Sequence, residues 1–244
     1  MRYIHTKPAI VESVLVPKGT SSKAFFVVGG VGCIINIVAG IWHIFTTLYT
    51  LVTLYIPARV VVIFFPCLSY WAINDILFAI GLILASVGYL GMGRCYGSGV
   101  GLASFAVGVV TGVLFLLAPF WGENLASKLD WVLRVCIGVT IFQIFYLMMI
   151  LWGATHITTR RFTGKSKLSL ATGIMFIITA VSLEISATIL AVIALFVLQL
   201  PWQDWIHFFL MDWYGWSTLV WTSLFLVSEI LAAILFFMMK VQDS

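Results

Sequence analysis

Long apolar runs alternate with short polar or basic turns along the chain. A helix rises about 1.5 Å per residue, so crossing roughly 30 Å of hydrocarbon takes about 20 apolar residues. Runs of this kind occupy 24–48, 69–93, 98–119, 131–156, 168–200 and 216–239. Each predicts a transmembrane α-helix, because lipid offers no partner for an unpaired backbone group. The fifth run is long enough to need tilt, or to extend past the headgroups. The expected fold is an all-α, polytopic bundle of about six membrane helices. Residues 1–23, with Pro8, Pro17 and Gly19, read as a polar tail. Residues 24–240 form one transmembrane domain, and 241–244 a short tail. The first apolar run starts too late for a cleavable leader, so it reads as a retained anchor.

The stretch 49–68 is apolar enough to cross, but Pro57 and Arg59 sit in its middle. An arginine at the bilayer centre costs about 3 kcal/mol or more. The segment is therefore expected to be interfacial or re-entrant, or to extend the first helix. Charge placement agrees. With six spans, one side holds Arg2, Lys7, Lys18, Lys23, Arg94, Arg160, Arg161, Lys165, Lys167 and Lys240. The other holds Arg59, Lys128 and Arg134. The basic side is expected to be cytoplasmic, with both termini inside. A seventh span would erase the bias. Nine of the tryptophans then fall in the outer half, and Trp152 alone lies near the inner side. Tryptophan prefers the interface, so the loop 201–216 is expected to lie flat on the outer surface.

Composition narrows the class further. The chain is 62% apolar and only 9% charged, with a mean hydropathy of +1.13. A soluble domain so poor in charge lacks the means to cover its surface. A lipid bilayer is the expected partner, in the cell membrane, with other membrane subunits as candidates. No basic patch interleaved with aromatics points to nucleic acid. The four cysteines, Cys33, Cys67, Cys95 and Cys136, show no C-x-x-C spacing. A Cys67–Cys136 disulfide is open to the outer side; unpaired buried thiols are the plainer reading.

The segment joining spans two and three, GRCYGSGVGLASFAVGVV, resembles RRFTGKSKLSLATGIMFI between spans four and five. Each has a basic turn, small residues and then an apolar run, as parallel copies of one hairpin would. Gly97-x-Gly99-x-Gly101 lacks the βαβ setting of a dinucleotide fingerprint. Gly108 with Gly112, and Gly81 with Ala85, are spacings suited to close helix packing.

Polar residues inside the spans carry what chemistry there is. Asp75, Glu184 and Glu229 are intramembrane, and no Lys or Arg lies deep in a span to pair with them. Each carboxyl must be protonated, hydrogen-bonded, hydrated or bound to a cation. Counted from the cytoplasmic ends, His43, Asp75 and Glu184 lie about 24–28 Å up; Asn36, Gln143 and Glu229 lie about 16–20 Å up. Asn36, Gly40, His43 and Thr47 form one stripe expected to face the interior. Cys136, Thr140 and Gln143 share a face of the fourth span.

These six residues, His43, Asp75, Glu184, Glu229, Gln143 and Asn36, suggest a polar pathway. His43 with Asp75 would accept protons at its outer end, and Glu184 and Glu229 would titrate. That describes a proton- or cation-coupled carrier or channel for a small solute. Interhelical hydrogen bonding alone is the structural alternative, as in an accessory subunit of a larger complex. A third reading is a membrane enzyme with a His43, Asp75 and Glu184 metal site, though no ligand spacing supports it. His43 and His156 are too far apart in depth to share a haem. No cofactor is expected. No G-x-S-x-G, H-E-x-x-H or Walker motif is present, so neither nucleophilic catalysis nor nucleotide binding has a signature.

Overall fold

The computed structural model describes residues 21–55, 69–124, 131–197 and 204–239. They fold into six helices: α1 (Ser21–Tyr55), α2 (Ser69–Cys95), α3 (Gly99–Asn124), α4 (Trp131–Thr159), α5 (Ser166–Val197) and α6 (Asp204–Met238). There is no strand among the described residues. All six helices are long and apolar enough to cross a membrane. The chain is a multi-pass membrane bundle, as the run lengths predict.

The stretch 49–68 was expected to be interfacial or re-entrant, or to extend the first helix; of the described residues, 49–55 follow the last course and continue α1 without a break. Pro57 and Arg59 lie outside the described residues. One boundary differs from expectation. The segment 201–216 was expected to lie flat as a separate element. From Asp204 onward it is instead the first part of α6, one 35-residue helix. Nothing between Asp204 and Met238 breaks it, since the run contains no proline and Gly215 sits inside the helix. At about 1.5 Å per residue, α6 is some 52 Å long and overshoots the hydrocarbon.

The hairpin turns are set by local chemistry. Gly97 ends α2 with φ 62°, a conformation that a Cβ disfavours. Ser98 N–H then donates to Gly93 O at 3.1 Å, closing the helix end. The Ser98 hydroxyl accepts the Gly101 N–H at 3.2 Å and so caps α3. Gly164, between α4 and α5, has φ 65°. It lies 67 residues after Gly97 and matches it in the two similar turn sequences, so the parallel hairpins share their turn geometry.

Neighbouring helices pack in sequence order, and α6 closes the ring onto α1. Within the ring, α2, α4 and α6 reach one another through large side chains. Phe78, Phe145 and Phe225 meet pairwise with ring centroids 5.5–5.9 Å apart. Eleven residues further along each helix, Tyr89, His156 and Phe236 meet at 5.3–5.9 Å. The bundle therefore has a pseudo-threefold plan. The alternate helices α2, α4 and α6 surround the axis. The others fill the clefts: α3 against α2 and α4, α5 against α4 and α6, α1 against α6 and α2.

The α1–α2 seam is the tightest. A Cβ on Gly32 would collide with the backbone of Ala85, and one on Gly29 would come 2.5 Å from Gly88 Cα. Such close approach is how helices associate in lipid, where contact area replaces the hydrophobic effect. The Gly81 and Ala85 spacing noted in the sequence lies in this seam.

Candidate polar core

One turn beyond the phenylalanine layer, Leu82, Met149 and Glu229 occupy equivalent positions, and all three are fully buried. Glu229 sits where α6 meets α1. Asn36 Nδ2–H donates to its Oε1 at 3.2 Å. The Cys33 thiol lies beside the same carboxyl. Asn36 reaches this spot because its amide packs on Gly81, where a side chain would displace it. Asn36 Oδ1 and Glu229 Oε2 have no hydrogen-bond partner among the described residues.

Toward the α2 C-terminus, Tyr89 Oη and His156 Nε2 lie 3.0 Å apart, wholly buried. Tyr89 stacks on Trp152 at 4.5 Å, and the His156 ring lies parallel to Phe176 at 6.0 Å. The Ser169 hydroxyl donates to the His156 carbonyl at 2.7 Å, fixing α5 against α4. Trp152 Nε1–H donates to Ser104 O at 3.3 Å, while the Ser104 and Thr155 hydroxyls pair at 2.7 Å. Trp152 is thus a core residue and not an interfacial anchor.

His156 Nδ1 has no partner among the described residues. That fixes a surplus in the pair. A neutral imidazole carries one hydrogen and the phenol another, yet their single contact uses only one of the two. If Tyr89 O–H donates, the Nδ1 hydrogen is left over. If Nε2–H donates, the phenol hydrogen is left over. The core therefore holds an unused donor and, about two helical turns further along the bundle, an unused acceptor, Glu229 Oε2.

The remaining residues singled out in the sequence are placed elsewhere. Gln143 Nε2–H donates to both Glu184 oxygens, at 3.1 and 3.0 Å, on the exposed α4–α5 surface. His43 is half-buried, 6.2 Å from the Trp221 ring. Asp75 is half-buried on α2, three residues before Phe78. The stripe on α1 does face inward: Gly40 packs on Leu226, and Thr47 is buried. So the six residues form two separate pairs, Asn36–Glu229 and Gln143–Glu184, with His43 and Asp75 apart from both. His43, Asp75 and Glu184 do not assemble as a metal site; no group of three His, Cys, Asp or Glu among the described residues is placed to hold one. Cys33 and Cys95 are free thiols. Cys67 and the Cys136 side chain lie outside the described residues.

Sequence reasoning missed Tyr89, Cys33 and the role of His156. A signal was present. The 67-residue offset that superposes Gly97 on Gly164 also superposes Phe78 on Phe145 and Tyr89 on His156. No protein-family model, curated protein or solved structure matches the chain. What the fold itself defines is a six-helix integral membrane protein.

Proposed function

We propose that this chain is a small proton- or cation-coupled carrier, and that Glu229 is its coupling group. One observation carries the reading: Glu229 is fully buried, with one carboxyl oxygen that has no hydrogen-bond partner among the described residues, between two layers of three rings. The phenylalanine layer lies one helical turn away, and the Tyr89–His156–Phe236 layer about 10 Å the other way. A buried carboxyl that lacks a full set of partners marks an ion path in a membrane protein more often than a structural contact. Closed layers on both sides suit an occluded state, with alternate access requiring one layer to part. Tyr89 and His156 extend the path as a relay: the phenol takes up a proton released from Glu229 as it passes its own hydrogen to His156 Nε2, 3.0 Å away. The repeated hairpins suit this reading, since carriers are commonly built from parallel repeats about an axis along the membrane normal. The same reading places both termini in the cytoplasm, on the basic side.

The test uses purified protein in proteoliposomes on a solid-supported membrane, screened against small solutes across an imposed pH gradient. Wild-type chain gives a solute-dependent, pH-sensitive current. Glu229→Gln keeps the volume and removes the titrating group, and it abolishes that current while the protein still inserts. A Glu229→Gln current equal to wild type would refute the assignment. Glu184→Gln serves as the comparison, because its half-buried carboxyl lies at the α4–α5 surface, away from the axis.

A further inference from the structure

We infer that the Gln143–Glu184 face of α4 and α5 is a self-association surface, on which a second copy packs about a two-fold axis. Both residues lie inside candidate membrane spans, Val139–Thr159 and Ser166–Ile189. Gln143 is exposed and Glu184 only half-buried. Most of the described lipid-level surface is aliphatic or aromatic, with Val110, Phe142, Ile178 and Phe237 as examples. Here it carries polar groups: Thr140 and Thr188, both exposed, lie about a turn from Gln143 and Glu184 on their respective helices, with exposed Leu147 and Val181 on the other side.

Gln143 gives Glu184 one nitrogen, shared between two oxygens. A carboxylate has about four acceptor positions, so the pair is under-supplied where no water stands by. What would complete it is a surface rich in donors that also accepts. The face itself has that character. Gln143 keeps a second amide hydrogen and its carbonyl, and the Thr188 hydroxyl both donates and accepts. A two-fold axis brings each Gln143 against the other copy's Glu184, as isologous contacts require. Polar side chains of this kind hold membrane helices together. The inference does not depend on Glu229, which lies at the other seam of the bundle.

The experiment is single-molecule photobleaching of labelled full-length chain in liposomes, over a range of protein-to-lipid ratios. Wild type gives two-step bleaching that grows with density. Gln143→Leu with Glu184→Leu raises the dimer dissociation constant at least tenfold, with thermal unfolding unchanged because neither side chain fills the core. Wild type that stays monomeric at every density overturns the inference. So does a double variant that dimerises as wild type does. If the double variant does not insert, cross-linking decides. Thr188→Cys chains treated with a short bis-maleimide give a dimer band that the parent chain lacks, and absence of that band overturns the inference.

Discussion

Tyr89 and His156 form a buried pair whose energetics are computable from the contacts. Tyr89→Phe deletes one oxygen and keeps the ring, so the stack on Trp152 at 4.5 Å persists. His156 Nε2 then loses its phenol, and Nδ1 already has no partner. Leaving a buried polar group unsatisfied costs about 1–3 kcal/mol. His156→Leu strands the phenol in the same way. It also loses the ring stacking on Phe176, an addition of about 0.5–1.5 kcal/mol. The double variant strands neither group. Replacing both partners with apolar groups is close to neutral for the hydrogen-bonding part. The two single costs should therefore exceed the double cost by about 2 kcal/mol or more. Reversible unfolding in bicelles titrated with SDS measures all three variants. Costs that add to within about 0.5 kcal/mol would show that the two groups act independently, and the paired-core description would be wrong.

Further outcomes follow from other contacts. Asn36→Ala removes the amide that holds Glu229 Oε1 and should lower stability by about 1–3 kcal/mol, read in the same assay. Gly32→Val drives two methyl groups into the Ala85 backbone; it should separate α1 from α2 and cost more than the 1–3 kcal/mol of ordinary overpacking, about 4 or above. Gly97→Ala and Gly164→Ala each place a Cβ at φ above +60°, and each should cost about 1–2 kcal/mol; a large loss at one site alone would argue against equivalent hairpins. Burial, and then Cys95, push Tyr96 up to about 12. A folded-state value above the ordinary 10 means that stability is full below pH 10 and falls as the pH rises through 12. Tyr96→Phe should remove that share of the alkaline slope in unfolding measured against pH.

The spans were legible because a run of about 20 apolar residues has few other uses. The inward stripe from Asn36 to Thr47 was legible too, since polar groups in lipid turn toward protein. Periodicity says which residues share a face, but not which neighbour that face meets. Gln143 and Glu184 therefore looked like members of an interior pathway, while the structure sets them together at the surface. The first part of α6 misled for a related reason. Its tryptophans and acids have an interfacial composition, and composition does not distinguish a helix lying in the headgroups from one continuing through them. Tyr89 and His156 were hidden because a single polar residue in a span carries no address. Their meeting depends on the repeat offset, which a weak local likeness disclosed only at the turns.

The ring closes through helices from opposite ends of the sequence: Asn36 and Glu229, bonded to each other, are 193 positions apart. During biosynthesis α1 enters the bilayer before the other five helices and finds its α2 seam early. The Asn36 amide, packed on Gly81 at that seam, has no carboxyl to hold until α6 has been translated. Until then, lipid or the insertion machinery must shelter its free hydrogens. A circularly permuted gene, beginning at α2 and joining α6 to α1 by a short turn, would supply all three hairpins in order. Such a chain should assemble faster than the natural one and reach the same ring.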